Sequence, residues 1–325
     1  MNTQATIRVL YRTLLCAIAG LAALPVQSQS YPAKPLRILI PYEPGGAVDV
    51  TARMYQARLS SYLGQQVIVE NRPGAAGKVG AEVVSRAEPD GYLVLYTAGG
   101  TFITWQSNAA APEAVRKLTP ITSAVTSVGA IAARRDLPVN SMAELLAFAK
   151  SNPGKLSYGS SGIGSFQHLV GERLKLEGID FLHVPYKGLP GAMTALAAGQ
   201  IDLAITNLAT GLPLLKDGKI KMLALTQSSR FEATPSIPAI TEAMPGFEMP
   251  APWYGFWGPP QLPRAILLRL GSDIAKSLVA PEVKAKLTEL SMVAIVTTPD
   301  QFVTMVRETD SVYQRIIKAG NIQLD

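Results

Sequence analysis

Two glycine-rich strings carry the residue types best suited to holding an anion. The first, PGGAVD at residues 44–49, follows the apolar run 36–41 and precedes Val48, Ala52, Tyr55, Leu59 and Tyr62, spaced four, three, four and three apart. That pattern predicts a strand, a tight glycine turn and an amphipathic helix. The amides of such a turn, with the unsatisfied first turn of the helix, form a concavity that attracts negative charge. A second string of the same design, GSSGIGS at residues 159–165, follows the short run 156–158 and leads into Phe166, Leu169, Val170 and Leu174 on one helical face. It adds the hydroxyls of Ser160, Ser161 and Ser165, lacks the lysine of a phosphate loop and does not fit G-x-G-x-x-G, which argues against a nucleotide. Two such cradles point to a ligand with one or more carboxylates held between them.

Each feature also has a purely structural use. Glycine supplies positive φ in a turn whether or not a ligand is present. Asp49 can favour the helix dipole or bind a polar ligand group. Ser165 is placed as the N-cap of the next helix, a cap a ligand carboxylate could share. The catalytic inventory is small: the two histidines are His168 and His183, and there is neither a G-x-S-x-G elbow nor the spacing of a metal-ligand set. No metal or cofactor is expected. His168, three residues past Ser165, could act as its base, and a hydrolase or transferase using this pair is the alternative reading; otherwise His168 caps or packs on its helix. Lys187 can pair with a carboxylate or simply sit exposed on its loop.

The elements that must position these turns alternate strand-like with helix-like runs, which predicts an α/β fold with largely parallel sheets covered by helices. The 325-residue chain opens with Arg8 and Arg12, an apolar stretch over residues 14–24, Pro25 and a small polar end near Ser30. This is the order of a secretory signal peptide, and export to the periplasm is expected. The only cysteine, Cys16, lies in it, so no disulfide is expected after cleavage. The remaining 295 residues suit two lobes, and the loss of two of 30 basic residues and none of 24 acidic ones takes the net charge from +6 to +4. The basic residues are scattered, which argues against nucleic acid, and no later run is long enough to span a bilayer. Ser141 with Glu144, and Thr298 with Gln301, read as capping boxes. Residues 99–118 show no clear period and read as irregular structure at a pocket mouth. Residues 228–250 read as a connection returning across the molecule, followed by helices over 264–279 and 282–290. The last helix starts at Thr298 with Phe302, Val306, Thr309, Tyr313 and Ile316 on its inner face.

Together the strings PGGAVDVTAR, VENRPGAAGKVG, KLSYGSSGIGSFQHL, HVPYKG, GQIDLAITNL and GKIKMLALT, in this order after the leader, resemble the Bug family, the periplasmic receptors of tripartite tricarboxylate transporters. The resemblance runs from about residue 31 to the end. It implies a two-lobed Venus-flytrap fold of periplasmic-binding-protein type, with residues 31–131 and 251–325 in one lobe and 132–250 in the other. It implies a non-enzymatic receptor, expected as a monomer, that captures an organic carboxylate largely through main-chain N–H groups and water and delivers it to membrane permease subunits; signalling to a sensor kinase is a further alternative. The binding positions so implied are Gly45, Gly46, Ala47 and Asp49 in the first turn, Thr101, then Ser161, Gly164 and Ser165 in the second turn, and Asn207 in ITNL; beside them Tyr42, next to the first turn, and Trp253, an indole suited to a flat apolar wall, are expected at the ligand. Over residues 101–118 the chain reads TFITWQSNAAAPEAVRKL, where the family places an Asn-Pro pair and a Tyr-Asp stretch.

Overall fold

The computed structural model describes residues 31–108 and 110–323; the expected leader, residues 1–30, lies outside them. The unit discussed below begins at Lys34. Its strands are β1 (Leu36–Ile40), β2 (Val67–Asn71), β3 (Leu93–Ala98), β4 (Thr119–Ser127), β5 (Gly129–Arg134), β6 (Leu156–Ser160), β7 (Phe181–Pro185), β8 (Leu203–Asn207), β9 (Ile220–Leu225), β10 (Trp253–Gly258) and β11 (Met292–Ala294). Among the described residues they form two sheets, one ordered β11-β4-β10-β3-β1-β2 and the other β7-β6-β8-β5-β9. Each sheet is the base of one lobe.

The inner strands read as apolar runs because both their faces are covered. β1 is buried at Leu36, Ile38, Leu39 and Ile40, and β8 at every position. The helix Ala47–Leu63 lays Val48, Ala52, Tyr55 and Leu59 on the first sheet, and Gly64 ends it in the left-handed conformation at φ 67. Burying a side chain such as Leu59 contributes about 1.5–3 kcal/mol. The final helix, Pro299–Ala319, buries Phe302, Thr309, Tyr313 and Ile316, and its start carries the complete Thr298–Gln301 capping box.

The sheets are mixed rather than largely parallel. β1 runs parallel to β2 and β3, and β6 to β7 and β8. By contrast β10 is antiparallel to β3 and β4, β11 to β4, and β5 to β8 and β9. The reason is the connectivity. The chain leaves the first sheet at the end of β4, enters the second as β5 after one residue, Val128, and comes back as β10, so the crossing strands insert against the grain of the βαβ units. The two passages are bonded to each other, since the Ser127 amide and the Thr126 hydroxyl both donate to the Pro252 carbonyl, at 2.8 and 3.0 Å.

Residues 99–118 are not irregular. They hold the helix Gly99–Gln106 and the short helix Glu113–Arg116. The first is buried at Gly99, Gly100, Phe102, Ile103 and Thr104, on more than one face, so its sequence has no amphipathic period. The lobes also meet through the helix Phe166–Leu176: Phe166, Val170 and Leu174 join the core of the second lobe, while Leu169 packs with Phe102, Ile103, Trp253 and Tyr313 in the core of the first.

Candidate binding cleft

Parallel strands of both sheets end in helices whose first turns lack a side-chain cap. β1 leads to the helix Ala47–Leu63 through N-cap Gly46, β3 to Gly99–Gln106 through Ala98, and β8 to Leu208–Lys216 through Asn207, none with a side-chain cap hydrogen bond. Free first-turn amides carry the positive end of the helix dipole, about half an elementary charge. In open α/β sheets the carboxyl ends of the strands are where ligands bind.

The first turn is held from within. Gly45 has φ +84, a conformation that favours glycine, and its amide donates to Asp49 Oδ2 at 3.0 Å. Asn71 Nδ2 donates to Asp49 Oδ1 at 3.0 Å and to the Tyr42 carbonyl at 3.1 Å, and Arg53 pairs with the same carboxylate at 2.9 Å. Burial pushes the Asp49 pKa up, but hydrogen bonds from Arg53, the Gly45 amide and Asn71 outweigh it and hold the carboxyl below its usual range. Asp49 is therefore the clamp of its own turn, and its oxygens are occupied. Gly46 is exposed and Ala47 half-buried at the rim of this turn. The Tyr42 hydroxyl pairs with Thr97 Oγ1 on β3 at 2.9 Å, tying this turn to the start of Gly99–Gln106.

The second turn is stiffer. Ser165 caps the helix Phe166–Leu176 by accepting from the His168 amide at 3.2 Å, and its hydroxyl donates to the Gly162 carbonyl at 2.6 Å. Ser161 donates to Gln167 Oε1 at 2.8 Å. Gly164, at φ +74, gives its amide to His168 Nδ1 at 3.1 Å, so that amide is engaged inside the protein. Its carbonyl accepts from Thr104 Oγ1 of the first lobe at 2.9 Å, a bond that joins the two lobes. The His168 ring stacks on His183 at 4.2 Å, and His183 Nε2 bonds Ser160 Oγ at 2.7 Å. Burial lowers both histidine pKa values, His183 to about 3. Because His168 Nδ1 serves Gly164 and its Nε2 faces Glu172, the ring makes no hydrogen bond to the Ser165 hydroxyl, which is the pairing the hydrolase reading requires.

The remaining sequence candidates fall in different surroundings. Thr101 is half-buried in the first turn of Gly99–Gln106. Asn207 is buried and its Oδ1 has no partner among the described residues. Lys187 is exposed. Trp253 is 2 % exposed, stacks with Trp257, underlies Gly99 and donates its indole N–H to Thr309. Sequence reasoning missed Thr104, Ser127 and Tyr254. The first is hidden in the unperiodic stretch, and the others are polar residues inside strands, where only the lobe crossing gives them meaning. A groove of about 750 Å³ between the return segment and the final helix, with Glu248, Pro250, Met305 and Arg315 in its walls, contains none of the turn residues.

Residues 51–322 match the family described as tripartite tricarboxylate transporter family receptor. A UPF0065 protein of Bordetella pertussis is 34% identical over 264 residues, 80% of this chain and 81% of that protein. Among solved structures, R. palustris Rpa4515 with adipate is similar at 29% identity and a TM-score of 0.82, over 90% of this chain and 99% of that one. MatC from Rhodopseudomonas palustris with bound malate is similar at 26% identity and a TM-score of 0.78, over 88% and 100%. The fold is thus the two-lobed fold of periplasmic binding proteins, and its relatives are binding proteins.

Proposed function

This chain belongs to the tripartite tricarboxylate transporter receptor family, and we propose from that premise that it captures an organic carboxylate between its two lobes and delivers it to membrane permease subunits. The observation that carries the reading is the set of uncapped helix starts at Gly46, Ala98 and Asn207, drawn from both sheets, the first two tied by Tyr42–Thr97. Free amides at a helix start suit a carboxylate, and amides contributed by both lobes let one ligand bridge them. Adipate and malate in the structural relatives support the substrate class. Gly46, Ala47, Thr101 and Asn207 are the contacts nearest to the ligand in this reading. Tyr42, Gly45, Asp49, Ser161, Gly164 and Ser165 shape the turns.

In the same reading residues 1–30 are a cleaved export signal and the mature receptor is a periplasmic monomer. One lobe comprises residues 31–131 and 251–325, the other 132–250. Among the described residues no helix is long and apolar enough to cross a membrane. The test is a thermal-shift screen of organic acids followed by recovery of the bound acid. A true ligand at a hundred times its Kd adds about 2.7 kcal/mol to stability and is recovered unchanged. No stabilisation by any acid, or turnover of the acid, overturns the reading.

A further inference from the structure

At the crossover between the sheets, two buried side chains end in atoms with no hydrogen-bond partner among the described residues: Ser127 Oγ and Asn207 Oδ1, on residues 3 % and 5 % exposed. Leaving such an atom unpaired costs about 1–3 kcal/mol, so a protein that keeps two of them together has a use for them. Both backbones are fixed. The Ser127 amide donates to the Pro252 carbonyl at 2.8 Å, Asn207 pairs with Gly129 across β5 and β8, and the Leu208 amide donates to the Val128 carbonyl at 2.7 Å. The Tyr254 hydroxyl lies beside both side chains, and the neighbouring Tyr42 hydroxyl is committed to Thr97.

The chemistry of the orphans selects their partner. An amide oxygen only accepts, whereas a serine hydroxyl both donates and accepts. A carboxylate oxygen would satisfy Ser127 but brings a second acceptor against Asn207 Oδ1. An alcohol hydroxyl donates to Asn207 and accepts from Ser127, completing both. We propose that Ser127 and Asn207, with Tyr254 beside them, form a subsite for an alcohol hydroxyl on the ligand, so that the receptor selects hydroxy acids over their deoxy counterparts. The inference rests on the carboxylate reading above.

The test is calorimetric titration of the purified protein with three matched pairs: succinate and malate, tricarballylate and citrate, phenylacetate and mandelate. In at least one pair the hydroxy acid binds about tenfold or more tighter than its deoxy partner, the value of one well-made hydrogen bond to a group otherwise left unpaired. Ser127→Ala brings that ratio close to one. A merely structural role for Ser127 would weaken both members alike and leave the ratio intact. Asn207→Ala, with melting temperature as the check on folding, gives the same reading should Ser127→Ala not fold. Equal affinities within every pair, or a ratio unmoved by both substitutions, mean that the orphan atoms hold only water, and the proposal falls while the carboxylate reading stands. Failure of all six acids to bind overturns the carboxylate reading and this proposal with it.

Discussion

At Gly46 the backbone has φ −71, and the atom nearest to an added Cβ is the Glu43 carbonyl oxygen at 3.7 Å. A side chain fits there without strain, unlike at Gly45 with φ +84. Gly46→Glu is therefore expected to leave the circular dichroism spectrum native. Its carboxylate competes for the first-turn amides and repels an anionic ligand, so titration should find affinity reduced by about a hundredfold or more, in keeping with a few kcal/mol of lost and opposed charge. Unchanged binding would remove the first turn from the site. The second turn predicts a pH dependence. Burial holds His183 at about 3, helped by His168 and Lys175, and burial lowers His168 too, with Glu172 opposing and Lys175 adding. Tyr158, whose hydroxyl donates to Glu172, stacks on the other side of His183. Unfolded histidine titrates near 6.5. The unfolded chain consequently binds more protons below that value, so the stability contributed by the neutral pair is complete above about pH 6.5 and is lost as pH falls toward the folded values. Urea unfolding at pH 7, 6 and 5 should show stability falling by at most about 1.4 kcal/mol per pH unit for each proton taken up. His183→Gln should flatten the fall, and an identical slope in that variant would place the titration elsewhere.

Among the elements, the helix Gly99–Gln106 is the strut between the lobes. Gly100 lies so close to Phe166 that a Cβ would stand 3.2 Å from its backbone nitrogen, and Thr104 reaches Gly164. Thr104→Val keeps the shape and removes the donor. The closed arrangement should lose about 1 kcal/mol, seen as ligand affinity weakened about fivefold with little change in secondary structure; an unaltered affinity would mean that the strut carries no closure energy. This helix also marks where the sequence stops being legible. Strand–glycine–helix units announce themselves because a turn needs glycine and a one-sided helix needs a period, and both cradles, the Ser165 cap and the Thr298–Gln301 box stand where the pattern put them. Even the Ser141 start is half as written: Ser141 accepts from the Glu144 amide, but the Glu144 carboxylate turns to the Asn140 amide instead of completing the box. Gly99–Gln106 has no period because it is buried on several sides. β4 and β11 are hidden because their partnerships, with β10 and with each other, are set by the lobe crossing rather than by local sequence. The partners of Asp49 and the place of Trp253 under Gly99 were not legible, since nothing local says that a carboxylate is already satisfied or that an indole lies under a glycine.

For the whole molecule, function depends on how two sheets move about two passages that are bonded to each other at Ser127, Thr126 and Pro252. Hinges that absorb rotation over a few residues let lobes close as rigid bodies. The contacts that such a motion changes include Thr104 to Gly164, Leu169 against the core of the first lobe, Phe166 against Gly100 and the Arg315–Glu248 pair. The tryptophans allow closure to be separated from local change. Trp257 is 0 % exposed and packed among Phe102, Trp253 and Phe302 of the first lobe, whereas Trp253, 2 % exposed, lies in the cluster that Leu169 enters. Trp105 is partly buried on the strut helix itself, packed against the first-lobe core that Leu169 enters. A ligand found in the acid screen should therefore change the intrinsic emission and reduce the radius of gyration in X-ray scattering, with the same saturation curve for both. In Trp105→Phe the emission change should shrink to the part Trp253 supplies while the compaction remains. Loss of both in that variant would assign Trp105 to the ligand contact instead of the interface, and compaction without any emission change in the unaltered protein would mean that the strut does not sense closure at all.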